Sequence, residues 1–312
     1  MRSLHLVPAG IALPFIPNRK LFFTLSSFLV LASLVLFAVL GLNYGIDFKG
    51  GILIEVKTTE EADIGAMRGA LSGLGVGEVG LQEFGAPDEV LIRIQRQEGG
   101  EGAQQVAVEK VKAALGSGVE YRRTEFVGPK VSDELFWDGV SAVTAAIFAI
   151  LLYIWFRFEW QFGLCAVVAL VHDVFSTIGI FALLGMEFNL STVAAILTIA
   201  GYSINDTVVV FDRVRENLRK YKKMGLGELF DQSINETLSR TVMTSVTTLL
   251  ALMALYFLGG EVIRGFSFAM IWGVLIGTYS SICLAVPLLL YMNLRRRQPG
   301  GGEAGEAAEE TP

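Results

Sequence analysis

The sequence predicts a multi-pass α-helical membrane protein with six transmembrane helices and one α+β domain between the first and second helices. Three observations predict this class. Hydrophobic residues make up 53% of the 312 residues, and the mean hydropathy of +0.54 is too high for a single soluble globule. Six apolar runs approach the roughly 20 residues that a helix needs to cross a hydrocarbon core. One polar stretch, residues 43–133, separates the first two runs.

The apolar runs set the expected boundaries of the spans. We expect spans at residues 21–42, 135–156, 162–184, 188–211, 241–258 and 265–294, the last five forming a transmembrane domain over 134–294. Arg19 and Lys20 precede the first run, as they would in a signal peptide. Because the apolar core of this run is too long and no small-x-small cleavage site follows it, we interpret it as an uncleaved signal anchor.

Lysine and arginine are concentrated on one side of the predicted membrane. They lie in an N-terminal arm at 1–20, a segment at 213–239 and a tail at 295–312. The positive-inside rule therefore places both termini in the cytoplasm and the polar stretch outside it. The tail is rich in glycine, alanine and glutamate and is predicted to be disordered. The net charge of −6 argues against nucleic acid as a partner.

The polar stretch 43–133 has the pattern of a small folded domain. Alternating segments predict strands at "GILIEVKT", "VGEVGLQEF", "DEVLIRIQR" and "GVEYRRTEFVG", and helical periodicity appears in "EADIGAMRGALSGLG" and "EGAQQVAVEKVKAALG". The resulting β-α-β-β-α-β order is that of the ferredoxin-like arrangement. We expect an extracytoplasmic domain that handles something, with a simple spacer as the alternative.

The segment 213–239 predicts two short amphipathic helices lying along the cytoplasmic membrane surface. It begins with "RVRENLRKYKK" and continues through two glycines to "ELFDQSINETLS". Its lysines and arginines would fix the topology and would also attract anionic head groups of membrane lipids.

Asp206 and Asn205 lie inside the fourth apolar run, in the stretch "GYSINDTVVVFDRVREN". A charged side chain near the centre of a membrane helix costs at least about 2.5–3.5 kcal/mol, and an aspartate is too short to reach the interface from this depth. We therefore expect Asp206 to face the bundle interior or a wet cavity, where a proton or a cation neutralises it. Asn205 is expected to hold water or to hydrogen-bond across helices.

Arg240 opens the fifth apolar run, and Thr244, Thr247 and Thr248 follow it at helical spacing. Two interpretations stay open. Arg240 marks the end of a helix, as positive-inside arginines do, or it pairs with Asp206, which enters the membrane from the same side.

His172 and Asp173 lie in the middle of the third run, with Ser176 and Thr177 each four residues further on. Their role is expected to be either hydrogen bonding across helices or a proton relay.

A carboxyl group held between burial, which favours its neutral form, and a nearby arginine, which favours its charged form, can change protonation as its surroundings alternate. The residues thus predict a proton carrier at Asp206, with Asp173 as a second candidate. Sodium remains an alternative, because a carboxylate beside amide and hydroxyl oxygens suits that ion as well. Walker A, Gly-x-Ser-x-Gly and His-Glu-x-x-His motifs do not occur, so neither catalysis nor a cofactor is expected.

Three stretches carry a resemblance to a known family. "LNYGIDFKGG" after the first run, "GYSINDTVVVFDRVREN" across the fourth and "INETLSRTVMTS" entering the fifth look like the signatures of SecF, a membrane subunit of the bacterial Sec preprotein translocase. That family belongs with the RND-type transporters, in which two six-helix halves pack together. The resemblance covers nearly the whole chain.

The resemblance implies a function and partners. Such a chain works with SecD as an obligate partner in the cytoplasmic (inner) membrane, beside the SecYEG channel. The pair would use the proton-motive force to pull unfolded preproteins outward late in translocation. By the same resemblance, Asp206 matches the essential membrane carboxylate and Arg240 its charge partner.

The resemblance also assigns structural motifs. Asp47, Gly50 and Gly51 belong to the motif after the first helix, where the glycines would allow a tight turn and Asp47 would cap local backbone donors. Asp212 and Arg213 belong to the motif of the fourth span.

Two other readings of the sequence stay open. One is an RND-type exporter of small molecules or lipids, although such chains usually carry both halves and larger outer domains. The other is a purely structural scaffold for the translocase, in which buried polar groups join helices.

Overall fold

The computed structural model describes residues 12–260, 263–292 and 294. Among these, six helices are long and apolar enough to cross a membrane. In chain order the elements are α1 (Arg19–Leu40), β1 (Asn43–Tyr44), α2 (Ile46–Lys49), β2 (Gly51–Thr58), α3 (Ile64–Ser72), β3 (Val79–Phe84), β4 (Ala86–Ile94), α4 (Gly100–Leu115), β5 (Val119–Val127), α5 (Pro129–Arg157), α6 (Trp160–Leu184), β6 (Glu187–Phe188), α7 (Leu190–Lys220), α8 (Leu226–Leu258), α9 (Arg264–Ser280) and α10 (Val286–Leu288). A short 3₁₀ turn, Gly116–Gly118, precedes β5.

Three helices form the centre of the bundle and three lie at its periphery. In α6, α7 and the helix that starts with α9, 50%, 56% and 67% of the apolar window is buried within the chain, against 11%, 11% and 17% in α1, α5 and α8. Glycine permits the closest approach in the centre. A Cβ at Gly273 would lie 2.2 Å from the Ile199 side chain of α7. The central helices therefore hold the interior polar groups, and the peripheral helices leave large apolar side chains exposed to lipid or to another protein.

Residues 51–127, here called the sheet domain, have the predicted β-α-β-β-α-β order, which is confirmed. The four strands form an antiparallel sheet with the order β3-β4-β2-β5. Alternate residues of β2, Ile52, Ile54 and Val56, pack with buried residues of α3 and α4 on one face. Leu53 points to the other face, where it packs with Leu91. The period-2 pattern thus sets which face receives the helices.

The connection from α1 into the sheet domain is a tight turn, as the two glycines predicted. Gly50 has φ +68° and Gly51 has φ +128°, and a Cβ at Gly51 would lie 2.6 Å from the Ile94 carbonyl oxygen. Only glycine adopts such a φ without strain. The end of the bundle beside this turn is here called the domain end, and the opposite end, where α1 begins, the terminal end.

The prediction of two surface helices in 213–239 is wrong. These residues continue α7 to Lys220 and begin α8 at Leu226. No glycine or proline breaks α7 beyond Gly201, and the two helices keep packing past the apolar run. Asn217 on α7 donates to Ser233 of α8 over 3.0 Å, and both side chains are buried. Gly225 precedes the first turn of α8 in an extended conformation.

Two other helices start at residues that differ from the predicted starts of their spans. The fourth was predicted from 188, but Glu187 and Phe188 form β6, which pairs in parallel with β1. Asn189 then caps α7 by accepting from Thr192 N, so the helix starts at Leu190. The second was predicted from 135, but α5 already begins at Pro129, because proline suits the first helical position.

The sixth span was predicted as one helix to residue 294, but its geometry changes along its length. After α9 comes a π-helix at Ser281–Ala285, followed by α10 and a 3₁₀ turn that ends at Tyr291. Pro287 provides a physical reason, because it lacks an N–H for the helical ladder and its ring crowds the preceding turn. Residues 1–11 of the predicted arm and the predicted tail at 295–312 lie outside the described residues.

Candidate functional site

Asp206 lies inside the bundle on α7 with a relative exposure of only 3%. Its Oδ2 is buried and has no hydrogen-bond partner among the described residues. The expectation that Asp206 faces the bundle interior is therefore confirmed. A carboxyl oxygen without a donor in an apolar interior favours the neutral form or a bound cation.

Arg240 does not contact Asp206 directly. No ion pair between the two is found in the described part of the chain, because Arg240 lies on the exposed side of α8. Its charge still attracts the Asp206 carboxyl from a distance. The hydroxyl of Thr244 bonds to the carbonyls of Arg240 and Thr241, and that of Thr247 to those of Met243 and Thr244. Thr244 and Thr247 follow Arg240 at helical spacing as predicted, but their hydroxyls bond to carbonyls of their own helix.

Asn205 lies on the outer side of α7, exposed from the bundle. Within the described residues it has no hydrogen bond to another helix, so the expected interhelical bond is not present in this chain alone. Asp206 and Asn205 therefore point to different surroundings, one to the interior and one outward.

Asp173 is the centre of a buried polar cluster that joins three helices. Ser203 of α7 and Ser280 of α9 both donate to its Oδ2, over 2.6 Å and 2.8 Å. His172 Nδ1 lies 3.0 Å from its Oδ1. The expectation of hydrogen bonding across helices is confirmed for Asp173, and the two serine partners were not identified from the sequence.

His172 and the serines near it extend this cluster. His172 is 3% exposed, and its Nε2 has no partner among the described residues. Its ring lies 6.0 Å from that of Tyr279, whose hydroxyl shares a hydrogen bond with Ser26 of α1. Trp272 donates to Ser176 over 2.9 Å. Every central helix and α1 thus contribute polar groups to one layer of the bundle.

A row of hydroxyls leads from this cluster towards Asp206. Ser281 donates to the Ser203 carbonyl over 3.2 Å, and Thr207, the neighbour of Asp206, shares a 2.8 Å hydrogen bond with Ser281. Ser281 opens the π-helix, and single π-helical turns frequently occur at functional sites. The adjacent pair Ser280-Ser281 in an apolar run was the sequence signal for these partners.

Asp212 and Arg213 hold the terminal end of α7 to its neighbours. Asp212 receives two bonds from the Arg157 guanidinium at the end of α5, at 2.8 Å and 3.1 Å. Arg213 bonds to Glu216 on its own helix and lies 3.6 Å from Glu236 of α8. Their contacts are consistent with the structural role predicted for both.

Asp47 caps a helix distant in sequence, and the prediction that it caps local donors is wrong. Its Oδ2 accepts from Leu190 N, the first residue of α7, over 2.9 Å. The N-terminal turn of a helix has unpaired N–H groups and favours a negative charge. The motif that follows α1 therefore fixes the start of the helix that carries Asp206.

The comparisons with known proteins agree with this architecture. Residues 107–295 match the C-terminal family of SecD/SecF protein export membrane proteins, and residues 35–62 match the SecD/SecF GG motif. The chain is 50% identical over 310 residues to the protein translocase subunit SecF of Rhodobacter capsulatus, covering 95% of this chain and 93% of that protein. It is 46% identical over 292 residues to SecF of Rickettsia rickettsii, covering 92% and 94%.

Two solved structures are similar in fold. The crystal structure of SecDF, a translocon-associated membrane protein from Thermus thermophilus, has a TM-score of 0.83 and 36% identity, and covers 92% of this chain. SecDF in the Super-membrane-facing form has a TM-score of 0.68 and 35% identity, with the same coverage. This chain spans 39% of either SecDF chain. The chain is a multi-pass inner-membrane protein that belongs to the SecF family of protein translocase subunits.

Proposed function

We propose that this chain, together with SecD, uses the proton-motive force to promote the late stage of preprotein translocation across the cytoplasmic membrane. The observation that carries the proposal is the buried Asp206 carboxyl, whose Oδ2 lacks a hydrogen-bond donor among the described residues. In a SecF-family chain, a carboxyl group in this position is suited to take up a proton when its surroundings are dry. It would release the proton when they become wet or when a cation approaches.

Arg240 is suited to be the approaching cation. In the described arrangement it is exposed on α8 and acts on Asp206 only from a distance. A shift of α8 against α7 that brought the two together would favour loss of the proton. Exposed Asn205 is suited to hold water beside this path.

Asp173 and His172 have a second role in the proposal. Two serine donors and the adjacent His172 ring already surround Asp173, so its main task is to hold the three central helices together. The hydroxyl row from Ser203 to Thr207 supplies a polar connection between this cluster and the neighbourhood of Asp206.

The partners follow from the family and from the exposed helix faces. The SecDF relatives carry a longer chain, which supports a SecD subunit as the missing half of an RND-type assembly. SecYEG and an unfolded preprotein would complete the machine, and both termini would be cytoplasmic with the sheet domain outside. The element order and strand order support a ferredoxin-like class for that domain. The chain would act without a cofactor or a catalytic residue of its own.

The test is translocation into membrane vesicles that contain this chain, SecD and SecYEG. After ATP-driven initiation, an imposed proton gradient should speed completion for the wild type and for Asp133→Asn, an exposed carboxylate at the start of α5. Asp206→Asn preserves size and hydrogen bonding but cannot ionise, so it should remove the stimulation while still copurifying with SecD.

Two results would change the proposal. Full stimulation of Asp206→Asn would make Asp206 a structural residue and leave a scaffold role for the chain. Stimulation by a sodium gradient in place of a proton gradient would mean that Asp206 carries sodium ions and not protons.

A further inference from the structure

Arg93 of β4 and Glu187 of β6 form an ion pair between the sheet domain and the bundle. The same guanidinium donates to Asn43 of β1 over 3.3 Å. Both side chains of the ion pair are partly buried, with exposures of 21% and 23%, so the pair is largely removed from water.

The pair lies where the sheet domain meets the start of α7. Glu187 is three residues before Leu190, and β6 pairs with β1 just ahead of the tight turn into the sheet. Gly45 donates to the Phe188 carbonyl over 2.9 Å, and a Cβ at Gly45 would lie 2.5 Å from Glu187 Oε1. Asp206 lies on α7, about 24 Å beyond Leu190 at 1.5 Å per residue. Glu187 therefore lies next to the start of the helix that carries the proposed proton carrier.

The surroundings of Glu187 favour its neutral form over its ionised form more than water does. Burial raises the pKa of Glu187, and the neighbouring carboxylates Asp47 and Glu125 raise it further, while Arg93 opposes both. Other charged groups line the same cavity between the sheet and the bundle, namely Glu55, Glu83, Arg123 and Arg264. Because the pKa is raised, the pair is intact at high pH and is lost as the pH falls through a value above the usual range for glutamate.

We propose that the Arg93–Glu187 ion pair is a proton-released latch, which holds the sheet domain on the end of α7 and frees it to move when a proton arrives from the outer side. The proposal rests on the proposed function for its orientation, because only an outward-facing Glu187 meets the acidic side of the gradient. Protonation removes the charge that Arg93 binds, and the latch opens.

Other contacts hold the connecting segment, residues 43–50, on the bundle when the latch is open, and this segment keeps the sheet domain attached. Asp47 still accepts from Leu190 N. Tyr44, Phe48 and Phe188 pack edge-to-face or tilted at ring distances of 6.0–6.2 Å. This cluster lies at the same junction and carries no titratable carboxyl group. Opening the latch therefore lets the sheet domain move without detaching it from the bundle.

Hydrogen exchange of the complex of this chain with SecD tests the latch. Exchange at the Gly45 amide, corrected for its intrinsic pH dependence, should rise several-fold in the wild type as the pH falls from about 8 to about 5, the direction that the raised pKa of Glu187 sets. Glu187→Gln should exchange quickly at both pH values. Arg122→Gln, which breaks the 2.5 Å pair with Glu89 inside the sheet domain, should behave like the wild type.

A charge swap separates a latch from a merely structural contact. Arg93→Glu and Glu187→Arg should each raise exchange at Gly45 at pH 8, and the double variant should restore protection. A wild type whose corrected exchange does not change with pH, or a double variant no better than the singles, would overturn the latch.

The same preparations distinguish this inference from the proposed function. Asp206→Asn should keep the pH response of Gly45 while it loses stimulation by the gradient. If the pH response is absent but Asp206→Asn still loses stimulation, the latch is wrong and the proposed function stands. If the response is present and Asp206→Asn is fully stimulated, the latch stands and the proton-carrier role is wrong.

Discussion

Asp173 and Asp206 are buried carboxyl groups of one bundle with opposite hydrogen-bond surroundings. Asp173 is fully buried and receives bonds from Ser203 and Ser280, with His172 beside it. The Oδ2 of Asp206 receives none within the described residues. A satisfied buried group contributes to stability, and an unsatisfied one costs stability unless function retains it. We therefore propose that Asp173 mainly holds the central helices together and that Asp206 mainly takes up and releases protons.

This contrast predicts different costs for the same substitution. Asp173→Ala leaves the Ser203 hydroxyl without its acceptor and the His172 ring without its Oδ1 partner, at about 1–3 kcal/mol for each unsatisfied group, while the Ser280 hydroxyl keeps the Gly277 carbonyl at 3.2 Å. Asp206→Ala removes no described hydrogen bond and should cost less. Thermal unfolding of both complexes at one scan rate measures the difference. An equal or larger fall in Tm for Asp206→Ala would contradict the assignment.

At the scale of elements, α7 and α9 make a close helix contact where Gly273 faces Ile199. The sixth span adds a π-helix that places Ser280 and Ser281 against α6 and α7. The helix of Asp206 is thus held along its length by glycine packing, by hydroxyl contacts and by Asp47 at its start. These contacts connect the domain end of α7 with the part of the helix that carries the buried carboxyl.

Filling the glycine contact should weaken the bundle. Gly273→Ala places a Cβ 2.2 Å from Ile199 Cγ1, so either the Ile199 side chain must change its conformation or α7 and α9 must separate. Overpacking of this kind typically costs about 1–3 kcal/mol. The control is Gly265→Ala on the same helix, where a Cβ meets no atom within 4 Å. A fall in Tm for the control as large as that for Gly273→Ala would contradict this packing.

Elements whose signal is local were predictable from the sequence. Hydropathy identified six spans, and strand alternation identified the order of the sheet domain. The continuation of α7 to Lys220 was missed because its packing partner, Ser233, lies on another helix. The π-helix depends on how Ser281 meets α7, and the Asp47 contact joins residues 143 positions apart. Contacts of this kind leave no periodic pattern in the chain.

The candidate site was predictable in its residue types but not in its contacts. A carboxylate is easily recognised inside an apolar run, because its charge is costly there. Asp206 and Asp173 were therefore found from the sequence. Their surroundings were not, because serines such as Ser203 and Ser280 are common in membrane helices. Glu187 and Arg93 were missed because single charged residues in short polar segments and on strands are usually solvated, and the contact between these two joins residues 94 positions apart.

At the scale of the whole molecule, the chain has a packed centre and a periphery that packs little within the chain. Large side chains such as Phe28, Phe148 and Trp155 are exposed on α1 and α5, and Asn205 points outward from α7. Lipid satisfies the apolar faces. A polar group such as Asn205 requires water or a partner helix, which agrees with the proposed SecD half. If both proposals hold, the latch, α7 and Asp206 form one path from the sheet domain into the membrane.

The most direct test of this account is proton entry into sealed vesicles that contain this chain, SecD, SecYEG and a preprotein halted midway. A pH-sensitive dye inside the vesicles reports protons, and protease protection reports preprotein movement. The account predicts that the wild type and Asp133→Asn couple the two signals and that Asp206→Asn loses both. Coupled proton entry and movement in Asp206→Asn at the wild-type rate would contradict it.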